Sequence, residues 1–382
     1  MNSRKKIIRS STVPQSLESF CKGILKELAK DYEVVALSSP GEALDLVGRR
    51  EGVRTIAVPM ERHISVFKDL KSLLALVKVF RKERPDMVHS MTPKAGLLCM
   101  MAAWMTRVPV RVHTFTGLVF PTATGLTKRI LMFTDRITCA CATHIIPEGE
   151  GVKNDLITNK ITRKPLKVLG FGNVRGIDMG YYSKRPEVED KAAILRDPSC
   201  ITFLYVGRIV RDKGINELVA AFRRLSIDYP QVRLYLVGGF EDTLDPVYDT
   251  TKDAIDNDER IQYAGRQIGD DLLAYYAASD CFVFPSYREG FPNTVLEAGA
   301  MGLPCIVTDI NGSREIIKDG FNGLIVPSHD ADALYEAMKW MLDNPEKRKS
   351  MASVSREHIA AHFEQGYVRK CLLDYYREIL QQ

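Results

Sequence analysis

With 382 residues, 45% of them apolar and 26% charged, the chain has the composition of a globular protein of two ordinary domains, which excludes a disordered chain. No run approaches the ~20 apolar residues of a membrane-spanning helix; the longest candidate, 95–105, fits a buried helix instead. Residues 1–178 hold 29 Lys and Arg against 16 Asp and Glu, and the remainder 24 against 32. The basic first part fits either a merely solvated surface or an anionic partner: nucleic acid, acidic headgroups or a phosphorylated substrate.

The opening Met1-Asn2-Ser3-Arg4-Lys5-Lys6 leads into a short strand without the apolar core of a secretion signal. Eight cysteines (21, 99, 139, 141, 200, 281, 305, 371) are scattered, mostly within apolar runs. Cys139 and Cys141 lack a matching second pair, so no zinc site is expected, and reduced thiols of a cytoplasmic protein are the simplest account.

In chain order, strands are predicted at 6–8, 33–37, 53–58, 86–89 and 110–113. Helices are predicted at 16–30, 67–83, 94–105 and 126–142. The alternation implies a parallel sheet with helices on both faces and ligands at the carboxyl ends of its strands. That rule singles out 10–15, 89–94 and 113–117. A Gly-rich polar segment, 170–178, leads into charged, irregular sequence at 179–199 that reads as a connection between domains. A second alternation follows, with strands at 201–206, 233–237, 281–285, 305–308 and 323–326, helices at 215–226, 271–278 and 331–342, and a further short element at 314–318. The reading is an α/β chain of two Rossmann-like domains, 1–178 and 179–360, with a cleft between them. A closing helix, 361–382, is expected to pack back on the first domain.

The stretch Glu289-Gly290-Phe291-Pro292-Asn293-Thr294-Val295-Leu296-Glu297 reads as a loop and then a buried helix, with Asn293 as its cap and Gly302 and Pro304 as its stop. Glu297 lies inside that apolar helix. A buried carboxylate needs a partner: either helix-end amides or a nearby Arg or Lys, or else the hydroxyls of a ligand that Glu289 also grips. Upstream, the strand at 201–206 runs into Gly207-Arg208-Ile209-Val210-Arg211-Asp212-Lys213-Gly214. Glycines permit close backbone approach, and two cations beside a helix start suit a diphosphate as well as they suit a plain basic loop. The loop matches neither a dinucleotide fingerprint nor a P-loop. Gly238-Gly239 ends a further strand. Carboxylates for hydroxyls and cations for a diphosphate together describe a nucleotide-sugar site.

Val206-Gly207-Arg208…Lys213-Gly214, Val237-Gly238-Gly239, Glu289 to Glu297 and Asn322-Gly323-Leu324-Ile325-Val326 resemble the donor domain of retaining glycosyltransferase family 4, whose two-domain fold is GT-B. The resemblance covers most of the chain. It implies that 179–360 binds the nucleotide sugar and 1–178 the acceptor. Arg208 and Lys213 would neutralise the donor diphosphate, Glu297 would hold the ribose, and Glu289 would meet the donor sugar. Gly207, Gly238, Gly290, Phe291, Pro292, Asn293 and Thr294 would complete the donor site. His113 stands where the family has a histidine facing the sugar, so Glu289, His113, Arg208 and Lys213 are the catalytic candidates.

Where many family members carry Gly-Gly after the first strand, this chain has Ser10-Ser11-Thr12-Val13. Ser90-Met91-Thr92-Pro93-Lys94-Ala95-Gly96 resembles a loop of bacterial surface-polysaccharide transferases acting on polyprenyl-diphosphate-linked sugars. The acceptor-side candidates are Thr12, Thr92, Lys94 and Thr116, and the basic run 78–84 is a candidate contact with an anionic membrane at the inner face of the cell.

The implied reaction retains configuration at the anomeric carbon, with UDP favoured over GDP by family frequency. No cofactor and no metal is expected, the cations standing in for a divalent ion. Rivals are a GDP-sugar transferase of the same fold, a sugar-nucleotide epimerase and a non-catalytic nucleotide-sugar-binding module. Nucleic acid ranks last, for want of a motif or an aromatic platform.

Overall fold

The computed structural model describes residues 4–61, 65–241, 243 and 245–381. Contacts divide the chain into two units: Met1–Gly176 with Gly366–Gln382, and Ile177–Gln365.

The first unit is built on β1 (Lys6–Ser10), β2 (Glu33–Ser38), β3 (Arg54–Ala57), β4 (Met87–Met91), β5 (Val110–Phe115) and β6 (His144–Pro147). All pair in parallel, in the order β3-β2-β1-β4-β5-β6. Its helices are α1 (Pro14–Phe20), α2 (Ile24–Leu28), α3 (Glu42–Glu51), α4 (Val66–Glu83), α5 (Pro93–Met105), α6 (Gly125–Cys141) and α7 (Glu150–Thr158). Alternation along β1 sends Ile8 to a core shared with α4, α5 and α6, and Ile7 to a second core on the other face. The single helix expected over 16–30 is two. Gly23, left-handed at φ 78°, donates its N–H to the buried Glu51 carboxylate at 2.9 Å instead of continuing the turn.

The second unit repeats the plan with β7 (Ile201–Val206), β8 (Val232–Val237), β9 (Ile261–Gly265), β10 (Cys281–Phe284), β11 (Cys305–Thr308) and β12 (Gly323–Val326), ordered β12-β11-β10-β7-β8-β9. Around it lie α8 (Pro186–Leu195), α9 (Ile215–Asp228), α10 (Asp249–Asn257), α11 (Gly269–Ala278), α12 (Asn293–Ala300), α13 (Ser313–Ile316), α14 (Ala331–Asp343) and α15 (Pro345–Phe363). The irregular connection expected over 179–199 contains α8. Pro186 opens this helix, Glu187 and Glu189 favour its first turn, and Val188 and Ala192 are buried.

The chain then rejoins the first unit as α16 (Gln365–Gln381), burying Tyr375, Tyr376, Ile379 and Leu380 in the core that holds Ile7 and Val34. There the buried Arg9 guanidinium donates to the Tyr376 hydroxyl at 2.5 Å and lies 2.7 Å from His89 Nδ1. In each sheet the strand order reverses between its first and fourth strands, β1 and β4 or β7 and β10. The loops leaving these strands flank the crevice where such sheets take ligands.

Candidate active site

In the second unit the loop after β7 touches the loops after β10 and β8 because glycine stands where the backbones meet. A Cβ on Gly214, left-handed at φ 70°, would overlap the Pro285 carbonyl oxygen, and one on Gly238 would overlap the Gly207 carbonyl oxygen. The contact lays Lys213, on a 3-10 turn spanning Arg211–Lys213, against Glu289 of the β10 loop. The Lys213 ammonium donates to Glu289 Oε1, and the Ser286 hydroxyl donates to the same oxygen at 3.2 Å. Both members of the pair are largely sheltered, their side chains 14% and 20% exposed. Arg288 braces the arrangement by reaching Asp212 at 3.3 Å. Arg208 shares the β7 loop with Lys213, but its guanidinium turns to Glu241 and is half exposed. Each cation that the sequence assigns to a diphosphate therefore has a carboxylate partner.

Glu289-Gly290 leads into α12. The structure corrects the capping expectation: Pro292, which has no polar side chain, is the N-cap, and Asn293 lies within the first turn. Phe291 is buried against Phe363, their ring centroids 5.5 Å apart, which anchors the loop. A Cβ on Gly312, at the start of α13, would crowd Gly290 and Phe291, so this glycine lets the β11 loop back the site. Asn293 and Thr294 are half-buried. Glu297, 7% exposed, accepts a hydrogen bond from the Tyr276 hydroxyl of α11 at 3.2 Å. Burial, reinforced by Glu297, pushes the Tyr276 phenol well up, so it stays protonated as a donor. The Tyr276 hydroxyl is thus one partner of this carboxylate, and Tyr276, Ser286 and Gly312 are not evident from sequence. Signals for two of them exist: Ser286 follows the strand-ending Pro285, and Asn311-Gly312-Ser313 is turn sequence after an apolar run.

In the first unit the switch point joins Thr12 and Thr92. Their hydroxyls lie 2.8 Å apart, and the Thr12 hydroxyl also accepts from the Ala95 N–H at 3.1 Å, capping α5. Thr92 takes φ 72°, a conformation rare for a non-glycine residue. Beside them opens a cavity of about 780 Å³ whose walls include Thr12, Asp69, Thr92, Lys94, Ile130 and Thr134. Lys94, the acceptor-side candidate, stands in this wall with a carboxylate beside it. Its ammonium donates to both oxygens of Asp69, at 2.6 and 2.7 Å, and the pair is mostly buried.

His113 and Thr116 line a smaller adjoining cavity with Asp135, and the two cavities share Thr92, Leu131 and Thr134. His113 is 1% exposed, lies 2.9 Å from the Ser90 hydroxyl, and packs so closely under α5 that a Cβ on Gly96 would overlap its ring. Burial holds its pKa down to about 3, so the imidazole is neutral at physiological pH.

Asp135 is the opposite case, its carboxyl pushed up by burial from 3.8 to about 7. Between those values the folded chain keeps a proton that the unfolded chain has lost. This group's contribution to stability therefore declines as pH rises toward 7 and levels off beyond. Asp135→Asn is expected to melt higher than the parent at pH 8 and level with it at pH 4. Equal shifts at both pH values would contradict the assignment.

Comparison with known proteins agrees with this layout. The family model described as glycosyl transferases group 1 matches residues 187–358, and the glycosyl transferase 4-like domain matches 18–172. The chain is 30% identical over 387 residues to the capsular polysaccharide biosynthesis glycosyltransferase CapM of Staphylococcus aureus, covering 99% of this chain and 98% of that one. It is 30% identical over 301 residues to the UDP-Gal:alpha-D-GlcNAc-diphosphoundecaprenol alpha-1,3-galactosyltransferase of Escherichia coli, covering 77% and 76% of the two chains. Among solved structures, Anabaena Alr3699/HepE in complex with UDP superposes with a TM-score of 0.81 at 16% identity, over 98% of this chain and 100% of that one. Two parallel Rossmann-like sheets, domain matches in both halves and full-length likeness to CapM make the chain a member of the group 1, family 4-like glycosyltransferases of GT-B fold.

Proposed function

We propose that the protein transfers a hexosyl or N-acetylhexosaminyl residue from a UDP-sugar to a hydroxyl of a polyprenyl-diphosphate-linked saccharide in bacterial surface-polysaccharide synthesis. In this reading configuration is retained at the anomeric carbon and no divalent metal takes part. One observation carries it: the sheltered Lys213–Glu289 pair at the switch point of the second sheet, beside the start of α12, whose N-cap is a proline. The Escherichia coli relative, which acts on a diphosphoundecaprenol-linked sugar, supports the acceptor class.

In the reaction the bond between the anomeric carbon and the leaving phosphate oxygen breaks, and the electron pair departs with UDP. The acceptor oxygen bonds to the same face of the sugar, and its proton passes to the leaving phosphate. Lys213, Arg208 and the amides opening α12 offset the charge that develops on the phosphate. A bound diphosphate gives Lys213 a second anion, leaving Glu289 free to accept from sugar hydroxyls. Glu297, already oriented by Tyr276, takes the ribose hydroxyls. In the first unit, the neutral imidazole of His113 offers hydrogen bonding without charge, and the cavity beside Thr12 and Thr92 receives the acceptor. The protein works on the cytoplasmic side, in peripheral contact with the membrane that holds its acceptor.

Calorimetry with UDP, GDP and their sugar conjugates tests the reading: UDP and a UDP-sugar bind, and silence from every nucleotide diphosphate sinks it. Glu297→Gln is expected to weaken UDP about tenfold or more, the worth of a charge-assisted hydrogen bond. Unchanged affinity with a large loss of stability would instead make Glu297 a structural carboxylate, as in its bond with Tyr276.

A further inference from the structure

Helix α6 presents to solvent a stripe that a buried-core helix would turn inward. Leu126, Arg129, Ile130, Phe133 and Arg136 recur at three- and four-residue spacing and are all exposed, Leu126 at 72% and Phe133 at 61%. Asp135, the sole acid of the helix, lines the inner cavity with His113 instead. Across α5, on the same face of the sheet, the first turns of α4 expose Val66, Phe67, Leu70 and Leu74, with Phe67 at 89%. Their one acid, Asp69, is taken by Lys94. The 780 Å³ cavity lies between these two helices, and Val119 and Ile130 both line it and reach solvent, so apolar side chains ring its opening. Among the described residues Lys71, Lys128 and Arg129 have no acidic partner, which leaves the patch apolar and net positive.

The basic run 78–84 is elsewhere. It closes the far end of α4, where Phe80 is core and Glu83 pairs with Lys6 and Arg54.

We propose that the exposed faces of α6 and of the first turns of α4 rest on an anionic bilayer, with Leu126, Phe133 and Phe67 in the headgroup layer and the cavity mouth facing the lipid. An apolar stripe bordered by cations, with Asp69 and Glu61 paired to Lys94 and Lys68, complements such a surface, and interfacial helices bind by this combination. The inference rests on reading the cavity as the acceptor site, because a lipid-linked acceptor then enters from the membrane without leaving it.

The test is co-sedimentation of the whole protein with vesicles of phosphatidylcholine alone or mixed with phosphatidylglycerol. Binding is expected to the mixed vesicles, to weaken with salt, and to be slight with the neutral ones. Leu126→Ser with Phe133→Ser is expected to lower the partition coefficient about tenfold or more, from the apolar surface lost. Arg129→Glu is expected to lower it severalfold. UDP affinity and melting temperature should stay at parental values in these variants, showing that the fold survives. Unchanged partitioning of the variants, or equal binding to both vesicle types, overturns the proposal. So does a dimer that Phe133→Ser converts to monomer, which makes the patch a self-contact. Vesicle binding that follows these expectations without UDP binding leaves the docking surface standing and removes the transferase reading instead.

Discussion

Lys213→Ala is expected to lower sugar transfer about 10²- to 10³-fold while leaving a folded protein, because it withdraws a preorganised charge from the departing phosphate. The ammonium is held by Glu289 and by the loop that Ser286 and Arg288 brace, so little reorganisation is needed when the bond breaks. Removing Lys213 also leaves Glu289 sheltered with only the Ser286 hydroxyl among its hydrogen bonds, at a cost of about 1–3 kcal/mol in stability. A double-mutant cycle with Glu289→Ala separates the two effects. Stability losses should be non-additive, the double variant melting no lower than the worse single one, while transfer stays low in all three. Transfer by Lys213→Ala within about threefold of the parent would remove Lys213 from the mechanism, since that is under 1 kcal/mol of barrier.

A methyl group at Gly214 is expected to do comparable damage by a different route. The residue sits at φ 70°, and its new Cβ would meet the Pro285 carbonyl, a backbone atom that cannot rotate away. Gly214→Ala should therefore cost about 2–4 kcal/mol and part the loops that bring Lys213 to Glu289. Donor affinity then falls along with melting temperature. Gly239→Ala is the internal control, since a Cβ there meets nothing within 4 Å. It should melt and bind UDP like the parent. If the two substitutions behave alike, the close approach at Gly214 is not what shapes the site.

Much of this architecture is legible in the sequence because apolar runs of strand length alternate with helix patterns, and because Gly302 and Pro304 punctuate the stretch around α12. The strands that escape notice, β6 and β9, are short, and Gln262 and Tyr263 face solvent on β9, so no apolar run marks it. α8 escapes because Val188 and Ala192 give a single turn of apolar spacing amid charge. Within the site, the sequence singles out Arg208, Lys213, Glu289 and Glu297 by type and position. It does not say whom each one faces. Lys213 meets a carboxylate 76 residues away, Lys94 one 25 residues away, and Glu297 a phenol 21 residues away. Such pairings are set by the packing of loops at sheet ends, which local pattern does not encode.

The return of α16 to the first unit bears on how the protein is made. Arg9 is translated 367 residues before the tyrosine whose hydroxyl accepts from its buried guanidinium. The second unit is continuous in sequence, from Ile177 to Gln365, and has all its strands before α16 is translated. The first unit, although translated earlier, must wait with an incomplete core and one hydrogen-bond partner of Arg9 missing until α16 arrives. Order of synthesis and order of completion are thus reversed between the two units.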